Sequence, residues 1–519
     1  MTKQIDKKRI LWVDDEIDSL KSHFVFLESK GFEVIGAISG DDALQIIARE
    51  NFDLVLLDER MPGKDGLTTL EEIKEKQPHL PVVMVTKSEE ESLMEEAIGQ
   101  KIADYLVKPV NPSQILLVIK RLLDSRKIIG SSSVRRYVSE INRFNQKLYG
   151  DMAPEEWYEA ARILAWWNLE LDEQRDVGLE QTLEGTRREW NTEFTKYILQ
   201  KYRPWLFAET RPALSPDVVG RYIIPRLKQK ENVLFVVVDC MRLDQWMLVE
   251  PLLAEYYTVQ RDYYFSMLPS ATPFARNALF AGMFPQDIHN AYPDNYRSQD
   301  EGSLNRNEDR LLADHLARNG LRFEHQFSYV KIHDNTEGEV IAKRTADYFD
   351  KRMATFVFNF LDILAHGRSV NVILKEIAGT EAAFRSLMKS WFVHSPLFSI
   401  LKAFAARDFT VIVTSDHGSV LCKRGTIAHG KRTTSTNLRY KYGDNLNSDP
   451  KESVLIKKPG EWRLPEFSLA TTYILAKEDY YFVYPNNYNE MVRQFQNSFQ
   501  HGGISLEEMV VPVAVLTPK

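Results

Sequence analysis

Short apolar runs alternate with helix-like stretches through the first 124 residues of the chain. Within each run the apolar residues are consecutive, which is typical of parallel strands that are covered on both faces. Five such strands separated by helical stretches predict a doubly wound α/β fold. The five predicted strands are RILWV, EVIGAI, LVLL, VVMVT and DYLV.

A different pattern occupies residues 125–208, where charged and aromatic residues mix at helical spacing. Pro154 suits the first turn of a helix. We predict a helical connector or small bundle here. Its tryptophans are expected to pack in the interior, with a ligand or partner surface as the alternative; they are Trp157, Trp166, Trp167 and Trp190.

Buried strands return in residues 209–519, and they predict a second, larger α/β domain. VLFVVVD and FTVIVTSDHG each end in polar residues. The carboxyl ends of strands are where open α/β sheets place their functional sites. Residues 286–338 are polar and predict a loop-rich segment that could cap such a site. The predicted domains are thus 1–124, 125–208 and 209–519.

Charge and composition narrow the function classes. A net charge of −7 argues against a general nucleic-acid binder. Two cysteines, Cys240 and Cys422, cannot build a disulfide framework, so a reducing compartment is expected. The first residues lack the apolar stretch of a signal peptide, and the apolar runs are too short to span a bilayer. We therefore expect a cytoplasmic protein that does not enter the membrane.

Polar residues stand at the ends of the predicted N-terminal strands. Asp14 and Asp15 follow the first strand, Asp58 the third and Lys108 the fifth, and Thr86 ends the fourth. A doubly wound sheet gathers these ends at one edge, and three carboxylates there suit a hard cation such as Mg²⁺. Asp58 is the expected acceptor of a phosphoryl group, whose oxygens Lys108 and the Thr86 hydroxyl could bind. The alternative is a set of acids that merely caps helices.

This set resembles the receiver domain of two-component response regulators. The resemblance implies that a sensor histidine kinase phosphorylates Asp58. It also implies that Tyr105 follows Thr86 inward on activation, although Tyr105 could be an ordinary half-buried aromatic residue. Receivers often respond by dimerising, so a homodimer is expected on phosphorylation.

Five local contexts in the second half of the chain supply carboxylates, imidazoles and a hydroxyl, the groups that two divalent metals need to attack phosphorus. Thr272 begins a predicted helix, whose positive end would stabilise an alkoxide or a phosphate. Asp362 and His366 would share one face of a helix. The full set is Asp239, Thr272, Asp362, His366, Asp416, His417 and His501.

These motifs resemble the alkaline phosphatase superfamily, and most closely its PglZ branch, over about residues 210–519. The resemblance implies a phosphoesterase with two metal ions and Thr272 as the nucleophile. Zinc is the first choice, with manganese left open. One ion would bind Asp239, Thr272, Asp416 and His417, and the other Asp362, His366 and His501.

Further residues near these motifs are weaker candidates. Arg276 and Asn277 follow Thr272 by one helical turn, so either could hold a phosphate oxygen or simply pack the helix. Nucleotide phosphodiesterases of the same superfamily use an asparagine after such a segment, and Asn290 and Asn295 are candidates here. His429 is a competing metal ligand, although a loop histidine is the alternative.

Residues 423–441 form a basic run with no acidic residue between its members. Such a run is usually a solvated loop, but near a phosphate site it could bind a polyanion such as an oligonucleotide. Its members are Lys423, Arg424, Lys431, Arg432, Arg439 and Lys441.

The order of receiver, helical connector and PglZ-type region resembles the PorX group of response regulators, which the resemblance associates with type IX protein secretion. The leading hypothesis is a response regulator whose output is a metal-dependent phosphodiesterase acting on nucleotides or oligonucleotides. The second is a metal-binding docking module that regulates a transcription or secretion partner without turnover. No helix-turn-helix is recognisable, so direct DNA binding is a third choice.

Overall fold

The computed structural model describes residues 8–87, 102–123, 131–174, 177–293, 305–370, 379–430 and 437–519. The chain forms two compact units. The first consists of residues 1–147 and 174–186, and the second of residues 148–173 and 187–519. Each unit contains part of the helical connector.

The first unit contains a five-stranded parallel sheet with helices, which confirms the predicted doubly wound receiver fold. Its strand order is β2-β1-β3-β4-β5. Alternate residues of β1 enter separate clusters, Leu11 and Val13 in one and Ile10 and Trp12 in the other. Both faces of the sheet are covered, and this explains why the strands are apolar on both faces. The elements are β1 Arg9–Val13, α1 Lys21–Ser29, β2 Glu33–Ala37, α2 Gly40–Arg49, β3 Leu54–Asp58, α3 Gly66–Lys76, β4 Val82–Thr86, β5 Asp104–Val107 and α4 Pro112–Leu123.

Three long helices follow the receiver sheet, as the connector pattern predicts: α5 Ser131–Leu148, α6 Pro154–Gln174 and α7 Val177–Trp205. Pro154 is the first residue of α6, where its missing N–H costs no hydrogen bond. Trp157, Trp167 and Trp190 are buried, whereas Trp166 is half-buried. Trp157 packs against Phe194 with ring centroids 5.2 Å apart.

A six-stranded mixed sheet forms the core of the second unit, with strand order β7-β19-β10-β6-β9-β8, in which β19 is Val510–Pro518. Strands β10, β6, β9 and β8 are parallel, and β19 is antiparallel to both of its neighbours. The elements up to β10 are α8 Ile224–Lys228, β6 Val233–Val238, α9 Leu243–Leu253, β7 Tyr257–Phe265, α10 Thr272–Ala281, α11 Pro285–Ala291, α12 Glu308–Arg318, β8 Phe327–Ile332, α13 Asn335–Lys343, β9 Met353–Phe358, α14 Phe360–Val370, α15 Glu381–His394, α16 Pro396–Ala405 and β10 Thr410–Thr414.

Among the described residues between β10 and β19 there are three small sheets, with orders β11-β18, β14-β12-β17 and β13-β16-β15. Loops attached to the strands of these small sheets complete the site described below. The elements are β11 Val420–Cys422, β12 Arg424–His429, β13 Tyr440–Asp444, β14 Asn447–Ser448, β15 Ser453–Ile456, β16 Thr471–Ala476, β17 Tyr480–Val483, α17 Tyr488–Phe495, β18 Ser498–Gln500, α18 Leu506–Met509 and β19 Val510–Pro518.

The structure corrects the prediction that residues 286–338 are rich in loops. Their described part contains most of α11, the helix α12 and the strand β8, which pairs in parallel with β9. The polar composition is misleading because β8 is a half-buried edge strand and α12 buries only one side, through Leu311, Leu312 and Leu316. Within the described residues, no helix is both long enough and apolar enough to cross a bilayer.

Candidate metal and phosphate sites

The N-terminal carboxylates meet at the carboxyl edge of the receiver sheet. Asp14, Asp15 and Asp58 each place an oxygen within 4.8 Å of the others. Lys108 Nζ lies 2.9 Å from Asp14 Oδ2 and 3.0 Å from Asp58 Oδ2. Burial raises the pKa of Asp58, Lys108 opposes this, and Asp14 and Asp15 add to it. Three carboxylates around one ammonium leave an excess of negative charge, which fits a magnesium ion.

The Thr86 hydroxyl lies at the same edge, where it donates a hydrogen bond to the carboxylate of Glu59. Sequence reasoning did not include Glu59, because nothing in its spacing distinguishes it from a surface acid. Tyr105 is half-buried in β5 and packs against one of the two receiver cores. Thr86 and Tyr105 therefore occupy adjacent strands, β4 and β5, as their predicted coupling requires.

Two neighbouring strands of the second unit deliver ligands to one place. Asp239 follows β6, and Asp416 and His417 follow β10. Cys240 has a φ of 64°, a left-handed conformation that turns the chain sharply after Asp239. Its backbone N–H then faces Asp416 Oδ1 at 3.4 Å. The tight turn keeps the two loops together.

Asp239, Asp416 and His417 form the first ligand cluster, with one donor atom from each within 4.8 Å of the others. His417 Nε2 lies 3.8 Å from Asp239 Oδ1 and 3.6 Å from Asp416 Oδ2. Thr272, the first residue of α10, places Oγ1 3.1 Å from His417 Nε2 and 3.4 Å from Asp239 Oδ1. These are the four residues predicted to share one metal ion.

Asp362, His366 and His501 form the second cluster. The two Nε2 atoms of His366 and His501 are 3.0 Å apart, and each lies 3.3 Å from Asp362 Oδ1. Asp362 and His366 lie one turn apart on α14, as predicted. The rings of His417 and His501 stack with centroids 4.2 Å apart, so the two clusters adjoin.

The donor groups fit divalent metals. Asp416 Oδ2 is buried but makes no hydrogen bond within the described part of the chain, although buried carboxylate oxygens normally require partners. Burial lowers the pKa of His417 to about 3, so its imidazole is neutral and keeps a lone pair for a metal. Burial also raises the pKa of Asp239 to about 7, against the effect of Arg276. Carboxylate and imidazole together suit zinc.

His501 behaves differently from His417. Burial lowers its pKa, but the hydrogen bond and charge of Asp362 outweigh burial and raise it to about 9. Asp362 in turn has its pKa held well below the usual range: burial opposes this, but His366 and His501 prevail. A metal that binds this cluster should therefore displace a proton from it.

Both clusters face a cavity of about 530 Å³, a size typical of small-molecule sites. Its lining combines the metal-type ligands with neutral polar, basic and aromatic side chains. Apart from the ligands, the described lining residues are Pro273, Arg276, Asn305, Lys331, His333, Asn359, Ile363, Asn437, Leu438, Tyr440, Phe495 and Gln500.

Three family models match the chain. Residues 10–120 match a response regulator receiver domain, and residues 127–206 match a PorX response regulator linker domain. Residues 218–516, more than half of the chain, match the BREX system PglZ alkaline phosphatase-like domain. The chain belongs to the PglZ family. Together the three matches make it a PorX-like response regulator with a PglZ domain, which confirms the resemblance drawn from the sequence. The predicted domain boundaries stay predictions.

Curated relatives match about a quarter of the chain. The transcriptional regulatory protein ResD of Bacillus subtilis is 35% identical over 120 residues, which are 23% of this chain and 50% of ResD. The alginate biosynthesis transcriptional regulatory protein AlgB of Pseudomonas putida is 36% identical over 125 residues, 24% of this chain and 28% of AlgB. The chain thus spans half or less of the length of these relatives.

Solved structures also match this share of the chain. A CheY-like receiver domain protein from Methanospirillum hungatei is 34% identical, covering 23% of this chain and 96% of its own, with a TM-score of 0.23. The response regulator TrrA from Thermotoga maritima is 32% identical, covering 22% and 99%, with a TM-score of 0.21. Receiver and alkaline phosphatase-like domains usually bind divalent metals, in agreement with the three ligand clusters.

Arg276 of the PglZ domain lines the cavity but is already engaged. Its Nη1 lies 2.6 Å from Asp239 Oδ2, and its Nε lies 2.7 Å from Glu308 Oε1. Glu308 also accepts hydrogen bonds from Asn305 and Tyr329 and pairs with Lys331. Glu308, Asn305 and Lys331 were missed in the sequence because they belong to the segment interpreted as loops and form no motif.

The other candidate residues lie away from the cavity. Asn277 is buried in α10, and its side-chain amide donates to the Pro273 carbonyl at 2.8 Å. Asn290 is exposed on α11, and neither asparagine is among the described lining residues. Asn295 lies outside the described residues. His429 is exposed at the end of β12 and belongs to neither cluster of the PglZ domain.

Two members of the basic run, Arg439 and Lys441, differ from both of its interpretations. Arg424 pairs with Glu478 and Asp479, and Arg439 is fully buried with its Nη2 2.6 Å from Glu508 Oε2. Lys441 is fully buried too, and its Nζ donates to the Asn437 carbonyl at 3.0 Å. Arg439 and Lys441 therefore face neither solvent nor a polyanion, whereas the Arg424 side chain is 31% exposed. Lys431 and Arg432 lie outside the described residues.

Proposed function

We propose that phosphorylation of Asp58 controls a metal-dependent phosphodiesterase in the PglZ domain, acting on nucleotides or oligonucleotides. The observation that carries this proposal is the position of the Thr272 hydroxyl, at the start of α10, beside Asp239 and His417 and open to the cavity. Two zinc ions, held by the two ligand clusters, would supply Lewis-acid activation of the ester. The remaining steps belong to residues of the chain.

Thr272 is suited to attack phosphorus. The start of α10 is the positive end of its helix dipole, which favours negative charge on an oxygen or a phosphate in front of it. Thr272 Oγ1 would form a bond to phosphorus while the alcohol of the ester leaves. Water would then hydrolyse the phosphothreonine and restore the hydroxyl.

Charge in the site supports a diester over a monoester. A monoester is a dianion near neutral pH, whereas a diester carries one negative charge. Arg276, one turn after Thr272, shares its charge between Asp239 and Glu308, so little of it remains for an additional negative charge on the substrate. The half-buried aromatic ring of Phe495 gives the cavity a surface that suits a nucleobase.

The zinc-loaded protein should hydrolyse bis(p-nitrophenyl) phosphate faster than p-nitrophenyl phosphate. A chelator should remove the activity toward both substrates. Zinc should restore this activity more fully than magnesium, because the ligands are carboxylates and imidazoles. Release of p-nitrophenol with parallel metal analysis measures this. Bound metal without hydrolysis of any ester in a substrate panel would favour the alternative, a docking module for a transcription or secretion partner.

The PorX-type linker makes type IX secretion the proposed pathway.

Control would begin at the receiver. A sensor histidine kinase would transfer a phosphoryl group to Asp58, where Lys108 is already 3.0 Å from the carboxylate. The Thr86 hydroxyl would exchange Glu59 for a phosphoryl oxygen, and Tyr105 on the adjacent strand would follow it. The altered receiver surface would then favour a homodimer.

Acetyl phosphate should phosphorylate the wild-type chain and raise its dimer fraction. Asp58→Asn should show neither phosphorylation nor a larger dimer fraction, because the acceptor oxygen is lost. Phosphate-affinity electrophoresis and analytical ultracentrifugation measure the two effects. Asp18→Asn is the matched control, since Asp18 is an exposed acid of the same unit paired only at the surface with Lys21. A dimer shift that is equal in wild type and Asp58→Asn would disconnect the assembly from Asp58.

A further inference from the structure

Glu308 organises one side of the PglZ cavity without lining it. The carboxylate is 1% exposed. Its Oε1 accepts from Arg276 Nε at 2.7 Å and from Asn305 Nδ2 at 2.8 Å. Its Oε2 accepts from Tyr329 and pairs with Lys331 Nζ at 3.1 Å. A single buried carboxylate therefore fixes three polar side chains that do line the cavity, Arg276, Asn305 and Lys331.

Lys331 is the member of this group that can reach a ligand. Its side chain is 22% exposed, whereas that of Arg276 is 2% exposed and that of Glu308 1%. An ammonium group has three donors. One faces Glu308 and another is directed at the Asn305 carbonyl at 3.4 Å, so among the described residues one donor remains for the cavity.

The end of β8 places a second polar residue beside Lys331. Ile332 points into the hydrophobic core, so Lys331 and His333 project on the other face of the strand. Asn359, at the end of the adjacent β9, has its amide 3.3 Å from His333 Nδ1. Lys331, His333 and Asn359 all line the cavity. Together they are a patch of donor groups at one edge of the sheet.

This patch lies close to Thr272 but is not part of the metal clusters. Asn305 Nδ2 donates to the Thr272 carbonyl at 3.2 Å, and the Asn305 carbonyl contacts Lys331 Nζ. The patch is thus two hydrogen-bonded steps from the residue that we propose as nucleophile. An anion bound there would neighbour the reacting phosphorus without being the reacting group.

We propose that Lys331, with His333 and Asn359, binds a second, non-reacting phosphate of the substrate. The proposal rests on the phosphodiesterase function above and makes its substrate class narrower: an oligonucleotide with at least two phosphates, rather than an ester of a single nucleotide. Glu308 is a positioning residue that holds the Lys331 ammonium at the cavity. Leu438 and Phe495 belong to one apolar cluster on the same cavity and provide the surface for a base.

The test compares substrates that differ only in a non-reacting phosphate. Unmodified dithymidine phosphate is compared with the same dinucleotide carrying a terminal phosphate at the 5′ or the 3′ end. Wild type should prefer at least one phosphorylated form by about tenfold in kcat/KM, as expected for a charge-assisted hydrogen bond. Lys331→Met should abolish that preference through KM, and Lys331→Arg should retain it.

A matched control removes a lysine of the same unit that does not line the cavity. Lys343 is 78% exposed at the end of α13, and Lys343→Met should keep the wild-type preference. Equal loss on all three dinucleotides in Lys331→Met, or a preference that survives it, would overturn the subsite while leaving the phosphodiesterase intact. Failure of wild type to cleave any dinucleotide or bis(p-nitrophenyl) phosphate would overturn the function itself, and the subsite with it.

Discussion

Thr272→Ala should lower phosphodiester turnover by about three orders of magnitude or more, the scale seen when a catalytic nucleophile is removed. The hydroxyl is the group placed at the start of α10 to attack phosphorus, and alanine offers no oxygen. Metal binding should survive, because Asp239, Asp416 and His417 keep their positions. Steady-state hydrolysis of a chromogenic diester, with metal analysis of both proteins, measures the two quantities.

Thr272→Ser is the matched variant for this experiment. Serine keeps the oxygen and loses one methyl group, so it should retain activity within about one or two orders of magnitude of wild type. A covalent phosphoryl adduct should be trapped on wild type by acid quenching and should be missing from Thr272→Ala. Turnover in Thr272→Ala equal to that of wild type would reject Thr272 as the nucleophile and move the attack to water.

The receiver was predictable because its local and global signals agree. Its strands are continuously apolar, and both faces of the sheet are covered. The pattern of apolar residues in the sequence therefore agrees with the pattern of buried residues in the fold. The functional residues of both units follow the same logic, since Asp58, Asp239 and Asp416 all stand at the carboxyl end of a parallel strand. Strand order alone then brings residues from distant parts of the chain together.

Other features depend on contacts that the sequence does not encode locally. The basic run contains Arg439 and Lys441, which are fully buried, although runs of charge normally face solvent. The carboxylate of Glu508 and two backbone carbonyls, all distant in the sequence, accept hydrogen bonds from the Arg439 guanidinium and make its burial possible. Glu308 is hidden for the same reason, because its role follows from its neighbours and not from its spacing.

A buried ion network in the second unit links the helical connector to the PglZ core. Arg242 lies three residues after Asp239 and pairs with Asp244 and with Glu381, the latter at 2.8 Å. Glu381 also pairs with Arg187 of α7. Arg385 pairs with Asp244 at 2.9 Å and also with Asp172, a residue of α6. The connector is therefore attached to the loop that carries a predicted metal ligand.

Glu381→Gln should lower the free energy of unfolding of this unit by about 3–5 kcal/mol, the usual cost of removing one partner from a buried ion pair. The loss arises because Arg187 and Arg242 remain buried with too little negative charge. Chemical denaturation at pH 7 measures it. Glu339→Gln is the control: Glu339 is 64% exposed and pairs only at the surface with Lys343, so its removal should cost less than about 1 kcal/mol.

The pH dependence of that loss identifies its cause. Burial alone would raise the pKa of Glu381, but Arg187, Arg242 and Arg385 hold it well below the usual value of 4.5. Because the folded pKa is depressed, the charge of Glu381 stabilises the fold fully above the unfolded pKa, and this contribution fades as the pH falls below it. The difference between wild type and Glu381→Gln should therefore shrink below about pH 4.3. A difference that stays constant from pH 7 to pH 3 would assign the loss to packing and not to the ion network.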